Sequence, residues 1–124
     1  MAAPNIVNVS AIYGKVVTAD LTSTSAISVL SNAASSGKVF KIDSLVVANT
    51  DTANAVTVTV NHYSVAALGG TATAMASTIS IPAASTLVVI DKTNMIYLEE
   101  NMSLGAVAGT ASKLKVVCSY EDIS

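Results

Sequence analysis

The amino-acid sequence predicts an all-β fold, a single antiparallel β-sandwich of eight to ten strands with negligible helix. Three observations indicate it: apolar and polar residues alternate with a period of two, β-branched residues are abundant, and turn signals recur at short intervals. The 17 Val, 9 Ile and 13 Thr together make 39 of the 124 residues, and branched side chains suit a pleated, half-buried surface. Strands of this number and spacing form two packed sheets or a closed barrel.

The alternation is clearest in two windows, 56–63 and 113–120. Side chains two residues apart on a strand share a face, so each window predicts one inward row. The predicted inward residues are Val56, Val58 and Val60 in the first window and Leu114, Val116, Cys118 and Tyr120 in the second. A third alternating window, 78–81, ends at Pro82, which cannot donate to a strand ladder.

Turn residues divide the chain into ten predicted strands. Their ranges are 6–10, 13–20, 25–31, 38–49, 55–64, 75–81, 86–91, 95–99, 102–108 and 112–120. Segments 45–48 and 87–90 are apolar at every position, so we expect both of their faces to be buried. Segment 64–77 is rich in Ala and interrupted by Gly69 and Gly70, and we expect a mobile loop there.

The alternation also predicts the core. Residues expected to be buried are Leu45, Val47, Val58, Val60, Ile79, Ile81, Val89, Leu114 and Val116. Cys118 is expected to be a reduced, apolar core residue beside them. We expect one domain over 1–124, with a flexible N-terminal arm at 1–5.

Composition excludes several classes of protein. Only 11% of residues are charged, and eight acidic residues with six scattered Lys and no Arg give a net charge of −2. Nucleic-acid binders instead collect Lys and Arg on one face. Although the mean hydropathy is +0.61, no apolar stretch approaches the roughly 18 residues of a membrane span. Such a low charge predicts either a surface covered by other protein or one kept wet by Ser, Thr and Asn.

The single cysteine and the N-terminal residues indicate where the chain is made. One Cys excludes an internal disulfide and a multi-cysteine metal site. The segment 1–5 has neither a basic region nor an apolar region, so we expect no secretory signal. We therefore expect synthesis and folding in a reducing cytoplasm. Without a secretory route, the glycosylation triplets at 8–10 and 101–103 carry no meaning.

Candidate catalytic residues are few. His62, the only histidine, continues the inward row of its strand, and a hydrogen-bonded structural role is favoured over that of a base. A nucleophilic pair of Cys118 with His62 has no local support. Glu99–Glu100 and Glu121–Asp122 could supply the two carboxylates of a glycosidase, but neighbouring strand residues point to opposite faces. We expect solvated charges at strand ends, and no catalytic, cofactor or metal site.

Asn49, Asp51 and Asn54 superficially resemble a calcium loop. An EF-hand needs Gly at position 6 and Glu at position 12, where this sequence has Asn54 and Val60. A hairpin turn in which Asn and Asp bond the local backbone is the better interpretation.

The order of segments, taken together, resembles small structural proteins of marine tailed bacteriophages, the cyanophage-type virions, over nearly the whole chain. The segments that carry the resemblance are AAPNIVNVSAIYGK (2–15), SGKVFKIDSLVVAN (36–49), IPAASTLVVI (81–90), IYLEE (96–100), SL (103–104) and VCSYEDIS (117–124). The pattern is typical of a fold and a family, not of a catalytic motif. No functional residue of that family can be carried over to a position of this chain.

The resemblance implies a jelly-roll-like sandwich, often trimeric, that sits on the capsid as a decoration or cement protein. The expected partners are further copies of the chain and the major capsid protein or another virion protein, and the expected location is the virion. Alternatives are a neck, tail or fibre-attachment component and, less favoured because aromatics are few, a carbohydrate-binding module. The candidate docking segments are 1–5, 31–37 and 64–77, since a rigid sandwich carries recognition on its loops.

Overall fold

Nine strands form two antiparallel sheets in the computed structural model, which describes residues 9–124. The strands are β1 (Ile12–Leu21), β2 (Ile27–Asn32), β3 (Val39–Asn49), β4 (Val56–Val65), β5 (Gly69–Ile81), β6 (Thr86–Ile90), β7 (Ile96–Leu98), β8 (Met102–Ala108) and β9 (Leu114–Ile123). The described residues contain no helix, and therefore none that could cross a membrane. The predicted sandwich is confirmed, and the barrel alternative is wrong.

Each sheet interleaves early and late strands of the chain. The first sheet has the order β1-β9-β3-β6, with β7 also pairing to β3, and the second has the order β2-β8-β4-β5. All pairs are antiparallel. Two facing sheets with this interleaved order have the jelly-roll arrangement. The order places β9 and β3 inside the first sheet and leaves β1 at its edge.

The core lies between the inner faces of the two sheets. Predicted core residues that are fully buried are Leu45, Val47, Val58, Val60, Ile81, Leu114, Val116 and Cys118. Val58 and Val116 belong to the two alternating windows, so the period of two identified the inward faces correctly. Phe40, the only phenylalanine, is also buried and packs its ring 5.1 Å from that of Tyr120.

Two residues that are expected in the core are not fully buried, and two segments that are expected to be buried on both faces are partly exposed on one face. Ile79 is 40% exposed and Val89 is half-buried. Both residues lie on edge strands, which are covered by a neighbouring strand on one side only. Segment 87–90 exposes Val88 on the outer face of the first sheet, and Val46 and Ala48 of segment 45–48 are half-buried there. An apolar run that is continuous in sequence therefore lies in strands buried on one face only.

The expected loop at 64–77 is mostly strand. β5 begins at Gly69 and pairs with β4, so only the residues around Ala66 to Leu68 form a turn. Ala67, Leu68 and Gly70 have positive φ angles, and the amide of Gly69 donates to the carbonyl of Ala66. The residues of this segment are small, and apolar and polar positions alternate only weakly, so the sequence does not indicate a strand. Hydrogen bonding to β4 determines its structure.

The N-terminal predictions lie largely outside the described residues. The arm at 1–5 and residues 6–8 of the first predicted strand are not described, while Val9 and Ser10 of that strand are not in a strand. The other predicted strands are all found: 102–108 matches β8 at both ends, and no end of the others is shifted by more than six residues. β9 continues past 120 to Ile123.

Candidate assembly surface

A row of valines crosses the outer face of the first sheet. Val46 pairs with Val88 on one side and with Val117 on the other, and Val16 lies on β1 beside this row. Val16 is 64% exposed, Val88 is 55% exposed and Val117 is 40% exposed. We call Val16, Val46, Val88 and Val117 the outer valine patch. Their clustering on one face distinguishes them from the single exposed apolar residues that any soluble protein has.

Ion pairs border this patch at both ends of the sheet face. Lys115 lies 3.1 Å from Asp20 on one side, and Lys41 lies 3.7 Å from Glu121 on the other. Such exposed pairs contribute little to stability. Because each pair cancels its own charge, neither pair adds a net charge beside the patch.

The free edge of β1 adjoins the same face. Ala11 and Ser124 exchange two backbone hydrogen bonds of 3.1 and 2.9 Å, and β1 then pairs with β9 over ten consecutive residues without a register shift. Bonding alternates along an antiparallel pair, so the odd-numbered residues of β1 bond to β9. The backbone groups of the even-numbered residues therefore point away from the sheet. They belong to Ile12, Gly14, Val16, Thr18 and Asp20, all exposed.

The outer face of the second sheet is covered differently, by the β4–β5 turn. The amide of Leu68 donates to Ser103 Oγ at 2.9 Å, and that hydroxyl donates to the carbonyl of Val65. The Leu68 side chain lies over Gly105 of β8, where it helps to bury Tyr63 of β4. This turn is the part of the predicted 64–77 segment that lies over a sheet face.

Replacing Gly105 by valine is expected to lower the free energy of unfolding by about 1–3 kcal/mol, the usual cost of overpacking. A Cβ at this position would lie 2.5 Å from Leu68 Cδ2 and 3.0 Å from Tyr63 Cε2. Adding Leu68→Ala removes the first contact, so denaturant unfolding should show a double variant less destabilised than the sum of the two single variants. Gly14→Ala is the control, because no atom lies within 4 Å of its Cβ position. Strict additivity would contradict the placement of Leu68.

The predicted solvated charge at Asp122 is wrong. Asp122 is 2% exposed and binds Lys15 Nζ at 2.8 Å and Lys38 Nζ at 3.2 Å. Burial raises the pKa of the Asp122 carboxyl, but hydrogen bonds from the two lysines outweigh this effect and lower the pKa below its usual value. The same ion pair raises the pKa of Lys15. Glu121 stays half-exposed beside Lys41.

Buried asparagines hold two of the turns. The Asn32 amide donates to the carbonyls of Lys38 and Leu98, at 2.9 and 3.1 Å, which closes the predicted docking loop at 31–37. Glu100, expected to be solvated, is half-buried and accepts the Gly37 amide hydrogen. The docking role of this loop stays a prediction.

The predicted hairpin at 49–54 is wrong, because β3 and β4 belong to different sheets and do not pair. The predicted bonding of Asn49 and Asp51 to the local backbone is confirmed. The Asn49 side chain donates to the carbonyls of Asn54 and Ile81, each at 3.0 Å, and its Oδ1 accepts the Asp51 amide hydrogen. The Asp51 carboxylate accepts the amide hydrogens of Ala53 and Asn54, which lowers its pKa. Within residues 9–124 no group of three or more His, Cys, Asp and Glu side chains is placed to hold a metal ion.

The two candidate catalytic side chains lie on different sheets. Cys118 is fully buried in β9 of the first sheet, and burial, with a smaller effect of Asp43, raises its pKa to about 12. Its thiol is therefore protonated near neutral pH and shielded from reagents. His62 is half-buried in β4 of the second sheet, opposite Leu104 and Thr73.

Sequence analysis missed three features: the outer valine patch, the buried Asp122 site and the turn over Gly105. The patch has a weak signal in the apolar segments 45–48 and 87–90, although their continuous apolar character predicts burial on both faces. The other two features have no local signal, because their partners come from distant parts of the chain, as Lys15 and Asp122 do.

Comparisons with known proteins support the fold. No protein-family model and no curated protein sequence matches the chain. A solved structure of a Bacillus endospore appendage protein, described as one of a novel family of disulfide-linked pili, is 16% identical with a TM-score of 0.52, covering 91% of this chain and 88% of that one. A chain from infectious bursal disease virus, Gx strain, is 12% identical with a TM-score of 0.33, covering 90% of this chain and 40% of that one. At such low identity, the likeness to the pilus protein shows a shared sandwich fold.

Proposed function

We propose that this protein is a structural subunit that works by self-association and by docking on a larger protein surface, without catalysis. The outer valine patch is the observation that carries the proposal, because it gathers exposed apolar side chains on one sheet face between two ion pairs that cancel their own charges. Interface cores are likewise poor in charge. The protein with the same fold, which is described as belonging to disulfide-linked pili, supports an assembling role.

In its finer form, the proposal is a capsid decoration or cement protein of a tailed-phage virion. The segment order that resembles the cyanophage-type proteins supports it. In that role the chain would bind the lattice of the major capsid protein and raise the resistance of the capsid to heat. The contacts would be non-covalent, since the one cysteine of the chain is buried in the core.

Copy number tests the finer proposal. Quantitative mass spectrometry of purified virions should find this chain at a fixed, high ratio to the major capsid protein, and labelling in micrographs should decorate the capsid. A few copies per particle, located at the neck or tail, would contradict the decoration role and leave the structural one. Absence from particles would contradict the virion assignment itself.

Self-association is expected to survive high salt. Because few charges are available and the two ion pairs beside the outer valine patch cancel their own charges, screening should remove little of the binding energy. Sedimentation velocity at about 0.1 M and about 1 M salt should give the same distribution of species. An assembly that dissociates over this range would show that charge holds it together, against the proposal.

A further inference from the structure

We infer that the free edge of β1 pairs with the β1 edge of a second copy, in an antiparallel ladder centred on Val16. This inference deepens the proposed function, on whose self-association it rests, by naming the contact. The two copies would join their first sheets into one continuous sheet across a two-fold axis.

The five edge strands of the described residues are not equally open to pairing, and one of them, β7, is only three residues long. β5 has three register shifts against β4 and a positive φ angle at Thr78. β2 has one shift against β8, and β6 has five residues with a shift against β3. Bulges and short length protect edge strands from other chains. β1 is neither bulged nor short, since its ten residues pair with β9 in continuous register.

Charge does not protect β1 either. An inward-pointing lysine commonly guards an edge strand because its charge must reach past the edge to water. Lys15 of β1 points inward, but its Nζ lies 2.8 Å from Asp122 of β9, inside its own sheet. Asp20 is likewise paired with Lys115 of β9. Both charges are therefore directed away from the free edge.

Hydrogen bonding then selects one register. The outward-pointing backbone groups belong to the five even-numbered residues from Ile12 to Asp20, and their midpoint is Val16. An antiparallel ladder centred there pairs Val16 with itself, Gly14 with Thr18 of the second copy, and Ile12 with Asp20 of the second copy. Each pair exchanges two hydrogen bonds, so every outward group finds a partner. Moving the centre by one residue leaves outward groups unpaired and, in one direction, places Lys15 opposite itself.

Such a two-fold contact forms a dimer of subunits. It therefore differs from the closed trimer that the cyanophage-type resemblance implies, and a trimer could use it only to bind a second trimer. The outer valine patches of the two copies would become continuous at Val16, which doubles the apolar surface available for docking on a larger partner.

A charge-swap experiment at Val16 tests the register. Val16→Lys and Val16→Glu should each weaken self-association about tenfold or more, because like charges would lie directly opposite. An equimolar mixture of the two variants should recover association, since lysine then faces glutamate. Val65→Lys is the matched control, because Val65 is an exposed valine of the second sheet and lies outside the outer valine patch. Analytical ultracentrifugation measures association, and thermal unfolding should show that all three variants fold.

The outcomes separate this inference from the proposed function. Wild-type protein that stays monomeric at every concentration would overturn both. Wild-type protein that associates but is weakened by Val65→Lys and not by Val16→Lys would overturn the β1 contact alone. Failure of the mixture to recover would overturn the Val16 register. A Val16→Cys variant that oxidises to a covalent dimer, where Val65→Cys does not, would support it independently.

Discussion

Replacing Lys15 and Lys38 together by methionine is expected to destabilise the protein by about 3 kcal/mol at neutral pH, because the buried carboxylate of Asp122 loses both cationic partners. This value is at the lower end of the destabilisation expected when a buried charge loses its partner, because both lysine side chains are partly exposed and water can approach the site. Each single substitution leaves one partner and should cost less than half as much. Denaturant unfolding of the two single variants and the double variant measures the coupling.

The pH dependence of stability checks the same site. The folded-state pKa of Asp122 lies below its unfolded value of about 3.9. The ion pairs therefore stabilise the fold above that value, and the contribution is lost as the pH falls through the folded pKa. For Lys15, whose pKa is raised, the contribution is present below about 10.4 and is lost as the pH rises through the folded value. Asp122→Asn should thus approach wild-type stability in strong acid, and a constant difference down to about pH 2 would contradict the assignment.

Truncating Leu45 to alanine is expected to cost about 2–5 kcal/mol, through lost burial and the cavity left behind. Leu45 is fully buried in β3, between Cys118 of β9 and Ile90 of β6. Val88→Ala on the exposed side of the same sheet is the control and should change stability by about 0.5 kcal/mol or less. Calorimetry at low protein concentration keeps self-association out of the comparison. A loss at Leu45 no larger than at Val88 would show that the inner face is misplaced.

The two faces of the first sheet have separable roles in this account. Leu45 and the residues around it stabilise the subunit from within, while the outer valine patch and the free edge of β1 are available to other molecules. Variants of the inner face should alter unfolding, and variants of the outer face should alter assembly. This separation makes the proposed function testable without disrupting the fold.

The sequence by itself determined the fold class, most strand positions and most of the core. These properties are local, because the period of two places Val58 or Val116 inward whichever strands become its neighbours. The local bonding of the 49–54 turn was predictable for the same reason, since Asp51 bonds amides two and three residues away. That the turn crosses from one sheet to the other was not.

Only the tertiary structure decided which strands lie at edges and what covers each face. Val88 has apolar neighbours on both sides in the sequence, yet it is exposed because it lies on the outer face of the first sheet, and Ile79 is exposed on β5, which ends the second sheet. Asp122 is buried because Lys15 and Lys38, 107 and 84 residues away in sequence, close over it. Strand order and the approach of distant side chains depend on the packing of the whole chain, and a local pattern carries no information about either.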